Sequence, residues 1–310
     1  MQDFSTRTYG KWILAGEHAV LRGCPALAFP LKTRYLELEY FADSKTVAVE
    51  FRGPHGEELK LLFYGVIENA LSRLNVCEPL QGRFVLTNWL PVGSGLGASA
   101  ALCGAVARWC EAQGWVKAAD VYELACRLED LFHGESSGVD VAVSLLGKGL
   151  RFVRGQEMVP LDMKWWPRFY LSSSGQRGVT ADCVSKVKRL FEADLRLARE
   201  LDEQMRESVH LAERAFAQPE SEGLPMLKRA LDLGRDCFER WDLCGGELSA
   251  HIQQLEQAGA WAIKPTGSGG GGYVLSLWQE MPPAEMAEHL IPVSFEPSVY
   301  TEQAQGQALR

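Results

Sequence analysis

Segments 33–41 (TRYLELEYF) and 45–51 (KTVAVEF) alternate apolar and polar residues, which is the period of a half-buried strand. Segment 83–91 (RFVLTNWLP) reads as another short strand ending at Pro91. The stretch 11–31 (KWILAGEHAVLRGCPALAFPL) is apolar but broken by Gly16, Gly23 and Pro25, so the first ninety residues read mostly as strands and turns. From Ala98 the period changes. Segments 98–113 and 118–132 are rich in alanine and leucine at helical spacing, with Leu102, Val106 and Trp109 on one face and Val121, Leu124 and Leu128 on another. Segment 138–154 reads as a short helix, a glycine turn and a strand. A strand over 168–174 begins a second section. Long amphipathic helices are predicted across 182–217 and 224–242, then a helix at 247–259 and a strand, glycine turn and strand over 260–278. Strands followed by helices, twice over, predict an α+β architecture in two lobes. The tail 301–310 reads as frayed.

Composition narrows the function classes. The 310 residues are ordinary for a soluble globular chain, at 46% hydrophobic and 23% charged. A formal charge of −8 argues against a nucleic-acid partner and means that any anion must be held by a local device. Eight cysteines lie scattered without a CxxC pair, as expected of reduced thiols in a cytoplasmic protein. The N-terminus lacks the basic start and apolar run of a signal peptide, and no segment approaches the roughly 20 apolar residues of a membrane span.

Three glycine-bearing segments carry the candidate chemistry. PVGSGLGASAAL, from Pro91 to Leu102, lacks both the GK[ST] of a P-loop and the spacing of a dinucleotide fingerprint. By itself it is equally a packing turn before a buried helix or a phosphate cradle. Its placement, after a strand and before a helix starting near Ala98, would let free N–H groups and the helix dipole meet an anion. The second segment, GKWILAGEHAVLRG (10–23), sets Lys11 and Glu17 on a strand and its following turn, with His18 adjacent. The third, KPTGSGGGGYVLSL from Lys264, has strand-like flanks that favour a tight turn over a flexible linker.

Taken in this order, the three segments resemble the signatures of the GHMP kinase superfamily: GK…GEH, PxxxGLGSSAA and KxTGxGxGG. The resemblance spans nearly the whole chain. Within the superfamily, GKWILAGEHAVLRGCPALA is most similar to the mevalonate kinases, as is the stretch LEDLFHGESSGVDVAVSLLGKGLRF. The resemblance implies a ribosomal protein S5 domain 2-like N-terminal lobe over 1–165 and a ferredoxin-like C-terminal lobe over 166–310. It implies ATP-dependent phosphorylation of mevalonate with Mg²⁺; with the composition, this gives the expectation of a cytoplasmic enzyme that touches neither nucleic acid nor membrane, a homodimer being one assembly the sequence leaves open. Phosphomevalonate kinase, or another small-alcohol kinase of the superfamily, is the alternative. A non-catalytic ligand-binding relative would be expected to lack Lys11, Ser99, Glu129 or Asp140, and all four are present.

Residue by residue, the resemblance puts the phosphate cradle on Pro91, Gly93, Ser94, Gly95, Leu96, Gly97, Ala98 and Ser99. It puts the metal ligands on Ser99 and Glu129, and catalysis on Asp140 and Lys11. Glu17 and His18 would shape the alcohol end. Arg177 would meet a substrate carboxylate, and Thr180 matches a serine/threonine position that could equally be an N-cap. Thr266, Gly267, Gly269 and Gly270 form the third motif. A phosphorylated acceptor would need further cations, for which Lys186, Lys188 and Arg189 are available. The chain departs from the family pattern at Thr8-Tyr9, Ala98, Ser136, Val141 and Pro265. The loss of a hydroxyl at Ala98 leaves Ser99 to make the metal contact.

Overall fold

A computed structural model describes residues 3–133, 136–156 and 158–293. The N-terminal half is built on β1 (Phe4–Ala15), β2 (Ala26–Phe41), β3 (Val47–Arg52), α1 (Lys60–Arg73) and β4 (Gly82–Asn88). These are followed by α2 (Ala98–Ala112), α3 (Val121–His133), α4 (Val139–Leu146), β5 (Leu150–Phe152) and β6 (Val159–Pro160). The second half runs β7 (Arg168–Ser173), α5 (Thr180–Ala193), α6 (Leu195–Ala217), α7 (Glu220–Arg240), α8 (Glu247–Gln257), β8 (Ala262–Thr266), β9 (Tyr273–Trp278), α9 (Ala284–Ala287) and β10 (Ile291–Pro292).

β2 organises the first sheet. At 16 residues it is long enough to pair with β1 along one edge and with both β4 and β5 along the other. All three pairings are antiparallel, whereas β3 lies parallel to β4 because α1 carries the chain back between them. The second sheet, in the order β10-β7-β9-β8, is antiparallel throughout. α2 is buried along almost its whole length, and its alanines and Gly104 allow the close approach of β1 and α4. The architecture is the α+β arrangement expected from the sequence.

Two local expectations are revised. α1 falls where strands and turns were predicted. Its buried face is Phe63, Val66, Ile67 and Ala70, while Leu61 and Tyr64 stand exposed and blur the apolar stripe in the sequence. The long helix predicted over 182–217 breaks into α5 and α6 at Asp194, whose extended backbone (φ −144°) lets its carboxylate accept from the Leu197 N–H.

The lobes meet on β1. Its last six residues, Gly10 to Ala15, are all buried, and the strand contacts α2, α4, α6, α7 and β8. Trp12 is the apolar joint: its ring stacks on Phe29 of β2 at 4.7 Å and meets the edge of Phe169 of β7 at 5.6 Å. Thr266 adds a polar clasp, its hydroxyl accepting from the Ile13 N–H (2.8 Å) and donating to the Ile13 carbonyl (2.9 Å). Trp12→Ala is therefore expected to cost about 3–5 kcal/mol of stability in urea unfolding. A loss below about 1 kcal/mol would show that the ring is not the joint between the sheets.

Candidate active site

β1 enters the cleft between the lobes carrying Lys11. The Lys11 backbone N–H donates to the Leu96 carbonyl at 2.9 Å, which pins the glycine loop to the strand. Gly97 then turns the chain into α2 with φ 82°, and a Cβ there would lie 2.8 Å from Lys11 Cγ. Glycine is thus required twice over, by the backbone angle and by the lysine stem passing beneath it. The Lys11 ammonium, 5% exposed, meets Asp140 Oδ2 at 2.9 Å. Asp140 sits in the first turn of α4, whose start is set by Gly138 at φ 84°.

Glu129, near the end of α3, is buried beside this pair. Burial, reinforced by the nearby Asp140 charge, pushes its carboxyl up to about 8. Ser136 Oγ donates to Glu129 Oε2 at 2.5 Å and accepts from the Gly138 N–H, so the loop before α4 is folded over the carboxylate. Of the intervening HGESSG segment, Gly134 and Glu135 lie outside the described residues.

These groups line a cleft of about 490 Å³. Along its walls lie Gly93, Gly95, Gly97, Ala98 and Ser99 of the glycine loop, Glu129 and Asp140, Glu17 and His18, Arg177 and Thr180, and Gly267. Six expected residues are set back from it. Pro91 closes the loop by accepting from Ser94 Oγ at 2.8 Å, Leu96 is buried beneath it, and Thr266 clasps Ile13. Gly269 packs against Phe238 and Leu243, and Gly270 against Cys183. These support the wall from behind.

Arg177, expected at the carboxylate end of an acceptor, is exposed, and its Nη1 lies 3.8 Å from where a Cβ on Gly93 would stand. Thr180 is not a cap: Val179 holds that position, and the Thr180 hydroxyl meets Ser268 Oγ at 3.3 Å. Ser268 joins the cleft wall and its carbonyl accepts from His18 Nε2–H at 2.9 Å, a role that spacing could not reveal across 250 positions. Glu17 is ion-paired with the buried Lys264 of β8. Lys264 is visible in the sequence as the lysine of the third motif, but nothing in the sequence pairs it with Glu17.

The donor set suits a hard divalent cation. Glu129 and Ser99 both offer oxygen at the cleft wall, and a carboxyl held protonated by burial regains its charge when a cation shares the site. Among the described residues no group of three or more His, Cys, Asp or Glu could cage a metal alone.

His18 is buried and edge-on to Phe238 and Trp241, and desolvation lowers it to about 4. A histidine so depressed adds stability above its unfolded value near 6.5 and loses it as the pH falls through 4. His18 by itself therefore costs up to about 3 kcal/mol of stability between pH 6.5 and 4, while the raised Glu129 carboxyl works in the opposite sense over the same range. His18→Asn should remove the His18 share of this slope, so that the stability difference from wild type changes as the pH falls from 6.5 to 4. An unchanged slope in urea titrations across that range would assign the effect elsewhere.

Comparison with known proteins agrees with the geometry. The GHMP kinases N terminal domain matches residues 62–148. The mevalonate kinase of Pyrococcus horikoshii is 28% identical over 294 residues, covering 86% of both chains. That of Aeropyrum pernix is 27% identical over 295 residues, covering 87% of both. Among solved structures, L. major mevalonate kinase in complex with R-mevalonate superposes with a TM-score of 0.75 at 22% identity, covering 89% of this chain and 87% of that one. The chain thus carries a match to the GHMP kinases N terminal domain over residues 62–148 and is similar over most of its length to mevalonate kinases, in sequence and in fold.

Proposed function

We propose that the chain transfers the γ-phosphoryl group of ATP to the primary hydroxyl of mevalonate, giving 5-phosphomevalonate. The observation that carries this reading is the Lys11–Asp140 pair, held at 2.9 Å where the glycine loop meets the start of α4. Phosphoryl transfer asks for a cradled triphosphate, an offset of its charge and an oriented alcohol. The backbone of Gly93 to Ser99, at the N-terminus of the fifteen-residue α2, supplies N–H groups and a helix dipole for the phosphates. Ser99 and Glu129 would hold Mg²⁺, which when bound offsets phosphate charge.

Asp140 receives the proton of the attacking hydroxyl or orients it. Lys11, held against Asp140 and almost fully buried, fixes that carboxylate in place and faces the charge that develops on the transferred group. Low local dielectric makes both effects larger than they would be in water. Glu17, His18 and Thr180 shape the acceptor end. Arg177, beside Gly93, supplies a cation for the substrate carboxylate or a phosphate oxygen. The chain divides between a nucleotide-binding lobe over 1–165 and a second lobe over 166–310 that closes the acceptor side. Eight free thiols suit the cytoplasm as its compartment.

ADP release with ATP and a panel of mevalonate, phosphomevalonate, galactose and homoserine tests the assignment. Mevalonate should be turned over, and turnover of phosphomevalonate alone would replace the acceptor. Asp140→Asn should lower kcat by about 10²-fold or more while ATP binding, read by fluorescence or calorimetry, persists. Near-normal kcat in that variant would remove Asp140 from the chemistry.

A further inference from the structure

Lys11 lines the cleft and Lys264 lies buried behind Glu17, so that the two lysines could pair with the nearby carboxylates in more than one way. Lys11 is held by Asp140 at 2.9 Å. Lys264 is held by Glu17, with both side chains buried (0% and 1% exposed). The two pairs are not independent: Lys11 acts electrostatically on Glu17, and the Lys11 ammonium lies 3.7 Å from where a Cβ on Gly267 would stand, three residues beyond Lys264. Glu17 is therefore a second carboxylate within the field of the catalytic lysine.

Lys264 is built into place from every side. It donates to the Pro265 carbonyl at 2.7 Å and approaches the Ile13 carbonyl at 3.5 Å, so all its donors face oxygen. Its stem passes over Gly234 of α7, where a Cβ would stand 3.1 Å from Cε, and its ammonium lies 5.3 Å from the Phe238 ring centre. Burial raises the Glu17 carboxyl and lowers the Lys264 ammonium, and each charge offsets the penalty of the other. Glu17 Oε2 has no hydrogen-bond partner among the described residues, so Lys264 bears most of the compensation.

We infer that Lys264 is a positioning residue that partitions charge in the cleft: by neutralising Glu17 across the lobe interface, it leaves Lys11 to Asp140. This rests on the Lys11–Asp140 pair being the catalytic one, as proposed above. Without Lys264, Glu17 is an uncompensated buried carboxylate in the field of Lys11, and it draws that ammonium from Asp140. Removing the Glu17 charge as well restores the partition. The effect is one of electrostatics rather than substrate contact, so it falls on kcat.

Kinetics of Lys264→Met, Glu17→Gln and the double variant provide the test, with wild type first assayed on the alcohol panel so that kcat is read on the acceptor it uses. That control separates a wrong acceptor, which leaves the charge comparison intact, from a wrong partition. Lys264→Met should lower kcat about 10- to 100-fold with the ATP dissociation constant within about threefold, and the double variant should exceed it at least about tenfold in kcat. Additive losses in the double variant would overturn the inference, as would an effect confined to KM for the acceptor. Should Lys264→Met fail to fold, Lys264→Gln with and without Glu17→Gln carries the same comparison, because the amide still donates to the Ile13 and Pro265 carbonyls. Wild-type kcat in Lys264→Gln would also overturn it.

Discussion

A buried ammonium has to be neutralised where it stands, and the rest of this site is arranged around that constraint. Lys11 lies at the centre of a strand covered on both faces, so its charge cannot be solvated by bulk water. Asp140 supplies the countercharge, the Leu96 carbonyl fixes the backbone beneath the side chain, and Gly97 makes room for its stem. The glycine loop, the start of α4 and the strand joining the two lobes thereby meet around one side chain. The loop needs no lysine of its own, because β1 delivers the cation from the neighbouring strand.

The same economy of charge shapes the surroundings. Glu129 is buried beside Asp140, and burial, reinforced by the opposing charge of that carboxylate, raises its carboxyl. Glu17 is buried too, but against Lys264, so it does not join that opposition. One acidic group is thus left beside a like charge and the other is committed to a lysine. The lobe interface does this sorting, since Lys264 arrives on β8 while Glu17 follows β1.

Much of the fold was legible in the chain. The alternation along β2, the helical period of α2 and α3, and the strand–turn–strand near the C-terminus all follow from residues adjacent in sequence. α1 was not legible because Leu61 and Tyr64 face solvent and interrupt its apolar stripe. The break between α5 and α6 was hidden because a single capping aspartate within a continuous helical pattern looks like any exposed acidic residue. In the site, the glycine loop and the GEH turn were recognisable as segments, since backbone angles that favour glycine leave a local trace. The supporting contacts, such as Thr266 on Ile13 and Ser268 on His18, leave none, as their partners lie some 250 residues away.

What the sequence determined by itself is therefore the set of local devices: glycines where the chain must turn with positive φ, a small-residue helix behind them, and acidic residues at the end of one helix and the start of the next. Backbone strain and hydrophobic period act over a few residues and are written in a few residues. Which lysine faces which carboxylate was decided by the tertiary structure alone. Lys264 and Glu17 lie 247 positions apart, and Lys11 meets Asp140 only once β1 has been packed beneath α2 and α4. Charge pairing depends on distance and burial in space, and neither quantity exists until β1 has been packed within its own lobe and, for Lys264 and Glu17, against the other.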